Sequence, residues 1–252
     1  MSAKPRVALF VTCLVDLVRP QVGFAAVKLL EQAGCAVEVP AAQTCCGQPA
    51  WNAGADAHAV AIARNVITAF EGFDYVVAPS GSCAGMIRRH YPEVFEKDAA
   101  WLPRARALAA RTHELMSFLV KVRGLGGVAA TFAKKVCIHD SCSSLREMGV
   151  KAEPRTLLSS VDGLSIGELS DPQTCCGFGG LFSVKYPEIS ERMADDKIAD
   201  AIATGADTLT GGDLGCLLHL KGRMARQGKA MAVRHAAEIL ADMGGEPALG
   251  EP

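Results

Sequence analysis

The chain has 252 residues, half of them hydrophobic and 21% charged, with a formal net charge of −1. That balance supplies no overall basic field for a nucleic-acid partner, and no apolar run approaches the roughly 20 residues that a membrane-spanning helix needs. The opening MSAKPRVALFVTC lacks the apolar core and small-residue cleavage site of a secretory leader, so a cytoplasmic location is expected. Ten cysteines remain to be explained. In a chain too long to need disulfide staples they are buried apolar thiols, metal ligands or redox thiols.

In chain order, RVALFVTC is a short run ending in small polar residues at Cys13, the pattern of a buried parallel strand. VGFAAVKLLEQAG follows as a helix with Val22, Ala26, Leu29 and Leu30 on one face and Lys28 and Glu31 opposite. AVEVPAAQTCCG reads as a strand that opens at Cys35 and runs out at Cys45, Cys46 and Gly47. The next helix groups Ile62, Val66, Ala69 and Phe70 opposite Arg64. DYVVAPSGSC passes from strand through glycine into a helix at Cys83. ARALAARTHELMSFLVKV then reads as a linking helix, with His113 and Glu114 on its surface or at an interface.

The second part begins with the strand KKVCIHDSC, which contains Cys137 and ends at Cys142. QTCCG recurs at 173–177, and DTLTGGDLGC leads to Cys216. Lys185, Arg192 and Lys197 fall between these two, on what reads as a solvated helix face rather than a carboxylate-binding one. The terminal GGEPALGEP is rich in glycine and proline and is expected to fray.

The two parts share one plan. Thirty-one residues separate Cys13 from Cys45 and thirty-two separate Cys142 from Cys175, each leading into Cys-Cys-Gly. Downstream, Gly72-x-Asp74 and Gly205-x-Asp207 each lead through eight residues to the last cysteine. Self-similarity in fixed order marks an internal duplication. Alternating strands and helices then predict an α/β fold of two pseudo-symmetric, Rossmann-like parallel-sheet halves. The first repeat with its linking helix is placed at 1–125, the second at 130–245 and a flexible tail at 246–252, with the boundary between halves near 121 to 132.

Each repeated cysteine follows a strand, and ligands gather at the carboxyl ends of parallel strands, so the thiols should converge. Four thiols per half suit a tetrahedral zinc or an iron–sulfur cluster. Adjacent cysteines diverge, whereas structural zinc sites use ligands two to four residues apart, and this favours iron–sulfur. The glycines around Cys83 and Cys216 precede helices whose free N–H groups would face an anionic centre, and Gly47 and Gly177 allow close backbone approach. There is no C-x2-C-x2-C run and no strand followed by G-x-G-x-x-G. Cys35 and Cys137 are assigned to core packing. His139 and Asp140, which break the symmetry beside Cys142, are candidates for catalysis or for strand-end hydrogen bonding.

Cys, a gap of about thirty, Cys-Cys-Gly and a terminal C-x-x-C resembles the cysteine-rich CCG domain found in heterodisulfide reductases and in the glycolate oxidase iron–sulfur subunit. PSGSCAGMIRRHYPE, IHDSCSSLREMGV, QTCCGFGGLFSVKYPEIS and GCLLHLKGR look closest to its lactate-utilisation members, the CCG-only subunits of three-component L-lactate oxidising systems. The resemblance implies an iron–sulfur subunit, with [4Fe-4S] or a related cluster, that works with a ferredoxin-like iron–sulfur subunit and a third small subunit. L-Lactate is the implied substrate. Its cluster ligands would be Cys13, Cys45, Cys46 and Cys83 in the first half and Cys142, Cys175, Cys176 and Cys216 in the second. The family's terminal C-x-x-C departs here to Ser80 and Asp213, and Asp213 becomes a candidate oxygen ligand. Two other readings stand beside this one: a stand-alone thiol–disulfide or heterodisulfide reductase, and a zinc-stabilised scaffold.

Overall fold

The structure, a computed structural model, describes residues 3–251. Among these residues, eight short strands form two four-stranded sheets in which every pairing is parallel. In the first half β1 (Arg6–Leu9), β2 (Ala36–Glu38), β3 (Tyr75–Ala78) and β4 (Thr112–Glu114) take the order β2-β1-β3-β4. In the second, β5 (Lys135–His139), β6 (Ser165–Gly167), β7 (Thr208–Gly211) and β8 (Ala232–His235) repeat it as β6-β5-β7-β8. The register repeats as well, with Val7 beside Tyr75 and Val136 beside Thr208. The expected duplicated α/β plan is the observed one.

The central strands form because both their faces are covered. Val7, Ala8 and Leu9 of β1 and Val76, Val77 and Ala78 of β3 are fully buried, which suits parallel strands between helical layers. The helix Pro20–Gln32 starts with proline at its first turn and buries Val22, Ala26, Leu29 and Leu30, the face read from the sequence. The helix Asp56–Phe70 buries Val66, Ile67 and Phe70.

Three features depart from the sequence reading. The linking helix is interrupted: Leu102–Arg111 is helical, Thr112–Glu114 extends as β4 along β3, and a helical turn resumes at Leu115. The open edge of β3 recruits these residues, and three residues are too few to display a strand's alternation. His113 and Glu114 therefore lie in a sheet, with Glu114 fully buried, and not on a helix surface. The tail is also packed. Ala248 and Leu249 are buried, and the Leu249 N–H donates to the Val233 carbonyl at 2.9 Å. That apolar pair covers the edge of β8 despite its glycine- and proline-rich setting.

One hydrophobic core runs through both halves, joining Leu9, Val22 and Ala26 to Ile138, Leu209 and Leu240. The helix Pro20–Gln32 packs on the helix Ala236–Leu240. Beside this contact Arg19 pairs with the buried Glu238 at 2.6 Å, and Lys28 Nζ donates to the Ala241 carbonyl at 2.6 Å. The helices that begin at the cysteines also cross between halves. Cys13–Val18 packs on Leu214–Arg226, and Gly81–Gly85 packs on Cys142–Arg146. A Cβ on Gly81 would sit 2.8 Å from Ser144 Cα, so only glycine permits the second crossing.

Candidate metal centre

In the first half the carboxyl ends of three strands deliver four thiols to one place. Cys13 opens the helix Cys13–Val18, whose start is capped by Thr12 Oγ1 accepting from the Val15 N–H at 3.4 Å. Cys83 lies in the first turn of the helix Gly81–Gly85, and its own N–H donates to Ser80 Oγ at 3.3 Å. Cys45 and Cys46 come from the loop after β2. Cys13 and Cys45 sulfurs lie 3.9 Å apart, a thiol contact well beyond disulfide length. Cys46 completes the quartet: it lines the same space, and its neighbours Cys45 and Cys83 raise its thiol well above the ordinary value. The four line a cavity of about 260 Å³ whose other walls include Phe178, Leu181 and Leu214 of the second half.

The second half repeats this delivery. Cys142 opens a helix capped by Ser141, whose Oγ accepts from the Ser144 N–H at 3.2 Å. Cys175 and Cys176 come from the loop after β6, Cys216 lies in the first turn of the helix Leu214–Arg226, and Cys142 and Cys176 perturb Cys175 as Cys216 perturbs Cys176. The sulfurs also accept from the backbone. Gly47 and Gly177 N–H groups donate to Cys45 and Cys175 Sγ, each at 3.4 Å, and the Phe178 N–H to Cys176 Sγ at 3.5 Å. Gly47 and Gly177 hold φ of 84° and 85°, left-handed values that glycine adopts freely and that turn the chain away after each Cys-Cys pair.

The electrostatics of the two quartets match. Cys13, whose thiol donates to Cys45, and the adjacent Cys46 together hold Cys45 as a thiolate at about 2. Cys142 and Cys176 do the same for Cys175, again at about 2. Cys13 and Cys142 are driven far upward, first by their hydrogen bonds to Cys45 and Cys175 and then by burial. Each quartet thus concentrates negative charge at the first cysteine of its Cys-Cys pair, where backbone N–H groups already point. Sulfurs gathered round a common space, with amide donors to them, fit a thiolate-bound metal or cluster.

The family model of the cysteine-rich CCG domain matches residues 7–88 and again 136–221. This chain belongs to the CCG family. Each CCG repeat contains one quartet. The chain is 47% identical over 236 residues to lactate utilization protein A 2 of Bacillus cereus strain AH820, covering 94% of this chain and 98% of that one. It is 48% identical over 235 residues to lactate utilization protein A of Bacillus cytotoxicus, covering 93% and 98%. Among solved structures, a hypothetical protein from Helicobacter pylori shares the fold at a TM-score of 0.65 and 11% identity, over 97% of this chain and 50% of that one.

The remaining candidates separate in the CCG fold. Ser80 and Asp213, the two departures from C-x-x-C, meet each other across the repeats. Ser80 Oγ donates to Asp213 Oδ2 at 3.2 Å, and the Ser82 N–H donates to the same oxygen at 2.9 Å. Asp213 thus caps the helix start of the other repeat through Oδ2, and it also lines the cavity of the first quartet. Asp140 is clamped by Arg155 at 2.9 and 3.0 Å, and Arg155 also grips Glu168, so the carboxylate ties β5 to its neighbours. His139 is buried beside the second quartet. Burial, with Lys197 nearby, lowers its pKa to about 4 and keeps the ring neutral. Cys35 and Cys137 lie in the core, 2% and 0% exposed.

Lys197 is not on a solvated face. It is 1% exposed, and its ammonium donates to the Asp171 carbonyl at 2.6 Å, just ahead of the second Cys-Cys loop. Arg192 and Lys185 are exposed, as read from the sequence. Two anchors of the Cys-Cys loops are invisible to sequence reasoning. Tyr91 Oη donates to the Cys46 carbonyl at 2.9 Å, and Ser190 Oγ to the Gly177 carbonyl at 2.7 Å. They come from different places in the two repeats, so the duplication gives no signal for them.

Proposed function

We propose that this chain is an iron–sulfur electron-transfer subunit of a multi-component L-lactate oxidising system. The observation that carries the proposal is the pair of thiol quartets, one per CCG repeat, in a chain nearly half identical to proteins named for lactate utilization. Cys13, Cys45, Cys46 and Cys83 would hold one centre, and Cys142, Cys175, Cys176 and Cys216 the other. Bound there, a cluster would supply one-electron transfer.

The chain's own residues set the conditions for that chemistry. Gly47, Gly177 and Phe178 amides lie against sulfurs and offset their negative charge, which favours the reduced state of a bound centre. Phe178, Leu181 and Leu214 close the first quartet off from water on one side. The cysteine-bearing helices of the two repeats touch, so the centres share one rigid floor. Oxidising lactate to pyruvate releases two electrons, and two one-electron sites in one body suit that count. A ferredoxin-like iron–sulfur subunit and a third small subunit are the proposed partners. The free thiols fit a reducing compartment, the cytoplasm.

Anaerobic purification tests the reading. About four irons and four sulfides per occupied site, and lactate-dependent reduction of the chain only when its partners are added, are the expected results. A colourless zinc protein would instead establish the scaffold reading. The Cys13–Cys45 contact at 3.9 Å is the observation that favours the thiol–disulfide alternative. Turnover of small disulfides by the isolated chain would establish that one.

A further inference from the structure

One difference between the two CCG repeats lies at the last strand residue before the second quartet. The last residue of β5 is His139, and the matching register in the first repeat places Phe10 just after β1. Phe10 packs on Phe70, with ring centroids 5.3 Å apart. The fold is therefore content with an apolar ring there. His139 has no such neighbourhood. A ring nitrogen of His139 and the sulfurs of Cys176 and Cys216 all lie within 4.8 Å of one another. The residue is 2% exposed, and neither ring nitrogen has a hydrogen-bond partner.

A buried imidazole with both nitrogens unpaired is costly, and such groups in folded proteins have a reason. The usual reason beside cysteine sulfurs is a missing cation, because a neutral imidazole and thiolates are the donors that borderline metals take together.

We propose that His139 is a ligand of the second repeat's metal centre, joining Cys176 and Cys216, so that the chain holds one all-thiolate site and one mixed thiolate–imidazole site. This rests on the reading that the second quartet binds metal, and deepens it. Added to the thiolates, the neutral ring supplies the second centre with a nitrogen donor that the first centre lacks.

The test uses the full chain carrying Cys45→Ala and Cys46→Ala, which leaves only the second site, loaded with iron and sulfide anaerobically. Metal-edge X-ray absorption should show a nitrogen at about 2 Å with imidazole outer-shell scattering. Both signals should vanish in His139→Phe, the residue that the first repeat accepts. They should vanish also in His139→Cys, which keeps the metal and lowers the potential. A sulfur-only shell that His139→Phe leaves unchanged, at full metal content, overturns the proposal. A double variant that folds and binds no metal overturns it together with the underlying reading, and is told apart by metal analysis alone. The same spectrum on the wild-type chain, where the nitrogen signal is diluted by the first centre, decides the matter if the double variant does not fold.

Discussion

Alanine at Gly47 and at Gly177 should give very different proteins, although both glycines follow a Cys-Cys pair and share a left-handed backbone, φ 84° and 85°. Forcing a residue with a Cβ into that conformation costs about 1–2 kcal/mol at either site. At Gly47 the new methyl meets only Ile62, with Cγ2 at 3.2 Å, the end of a side chain that can give. At Gly177 it meets the Ser190 carbonyl oxygen at 2.4 Å, in the first turn of the helix Pro187–Ala203, and the backbone must move. That movement also breaks the bond from Ser190 Oγ to the Gly177 carbonyl, worth about 1 kcal/mol. These two terms already put Gly177→Ala at about 2–3 kcal/mol, before the shift of the helix backbone is added. For a chain of this size 1 kcal/mol is about 2–4 °C, so melting should fall by about 2–8 °C in Gly47→Ala and by at least about 4–12 °C in Gly177→Ala. Circular-dichroism melts of the metal-free chains measure this, and metal analysis should show Gly177→Ala losing the second centre while Gly47→Ala keeps both. Equal losses, or a larger one at Gly47, would refute the packing argument.

Cys45→Ala and Cys175→Ala should each lower the metal content, whereas Cys35→Ala and Cys137→Ala should leave it unchanged. Iron lost as readily from Cys35→Ala would mean that the division between core and site cysteines is wrong. Asp213→Ala removes the acceptor of the Ser82 N–H and should cost about 1.5–3 kcal/mol in denaturant unfolding without changing metal content. Loss of metal would instead make Asp213 a ligand. Glu114 gives a pH signature. Burial raises its carboxyl from the ordinary 4.5 to about 7, so between those values the folded chain holds a proton that the unfolded chain has released. The stability present below pH 4.5 is therefore lost as pH rises through 7, by about 3 kcal/mol. In Glu114→Gln that part of the slope should disappear from urea titrations at pH 5 and pH 8, and a slope unaltered by the substitution would show that the carboxyl is not desolvated.

The sequence carried the parts that repetition or periodicity could write. Cys13, Cys45, Cys46 and Cys83 and their partners in the second repeat were legible because their spacing recurs, and β1, β3, β5 and β7 because buried parallel strands are short apolar runs. β4 and β8 were not legible. They are edge strands of three and four residues whose buried groups include Glu114 and His235, types that read as surface. Lys197 failed for the same reason, since nothing local shows that its ammonium ends on the Asp171 carbonyl. The meeting of Ser80 with Asp213 joins residues 133 positions apart and depends on how the repeats pack. His139 stands out in the sequence as a break in symmetry, but its nearness to Cys176 and Cys216 is visible only in the fold.

That seam between Ser80 and Asp213 has made the duplication a one-way step. Two first repeats docked in the same manner would set hydroxyl against hydroxyl and leave the Ser82 amide without its carboxylate. Two second repeats would set carboxylate against carboxylate in a place where Asp213 is 5% exposed, and like charges there repel strongly. Only the unlike pairing is satisfied. At this seam each half supplies what the other lacks, the donors from one and the carboxylate from the other.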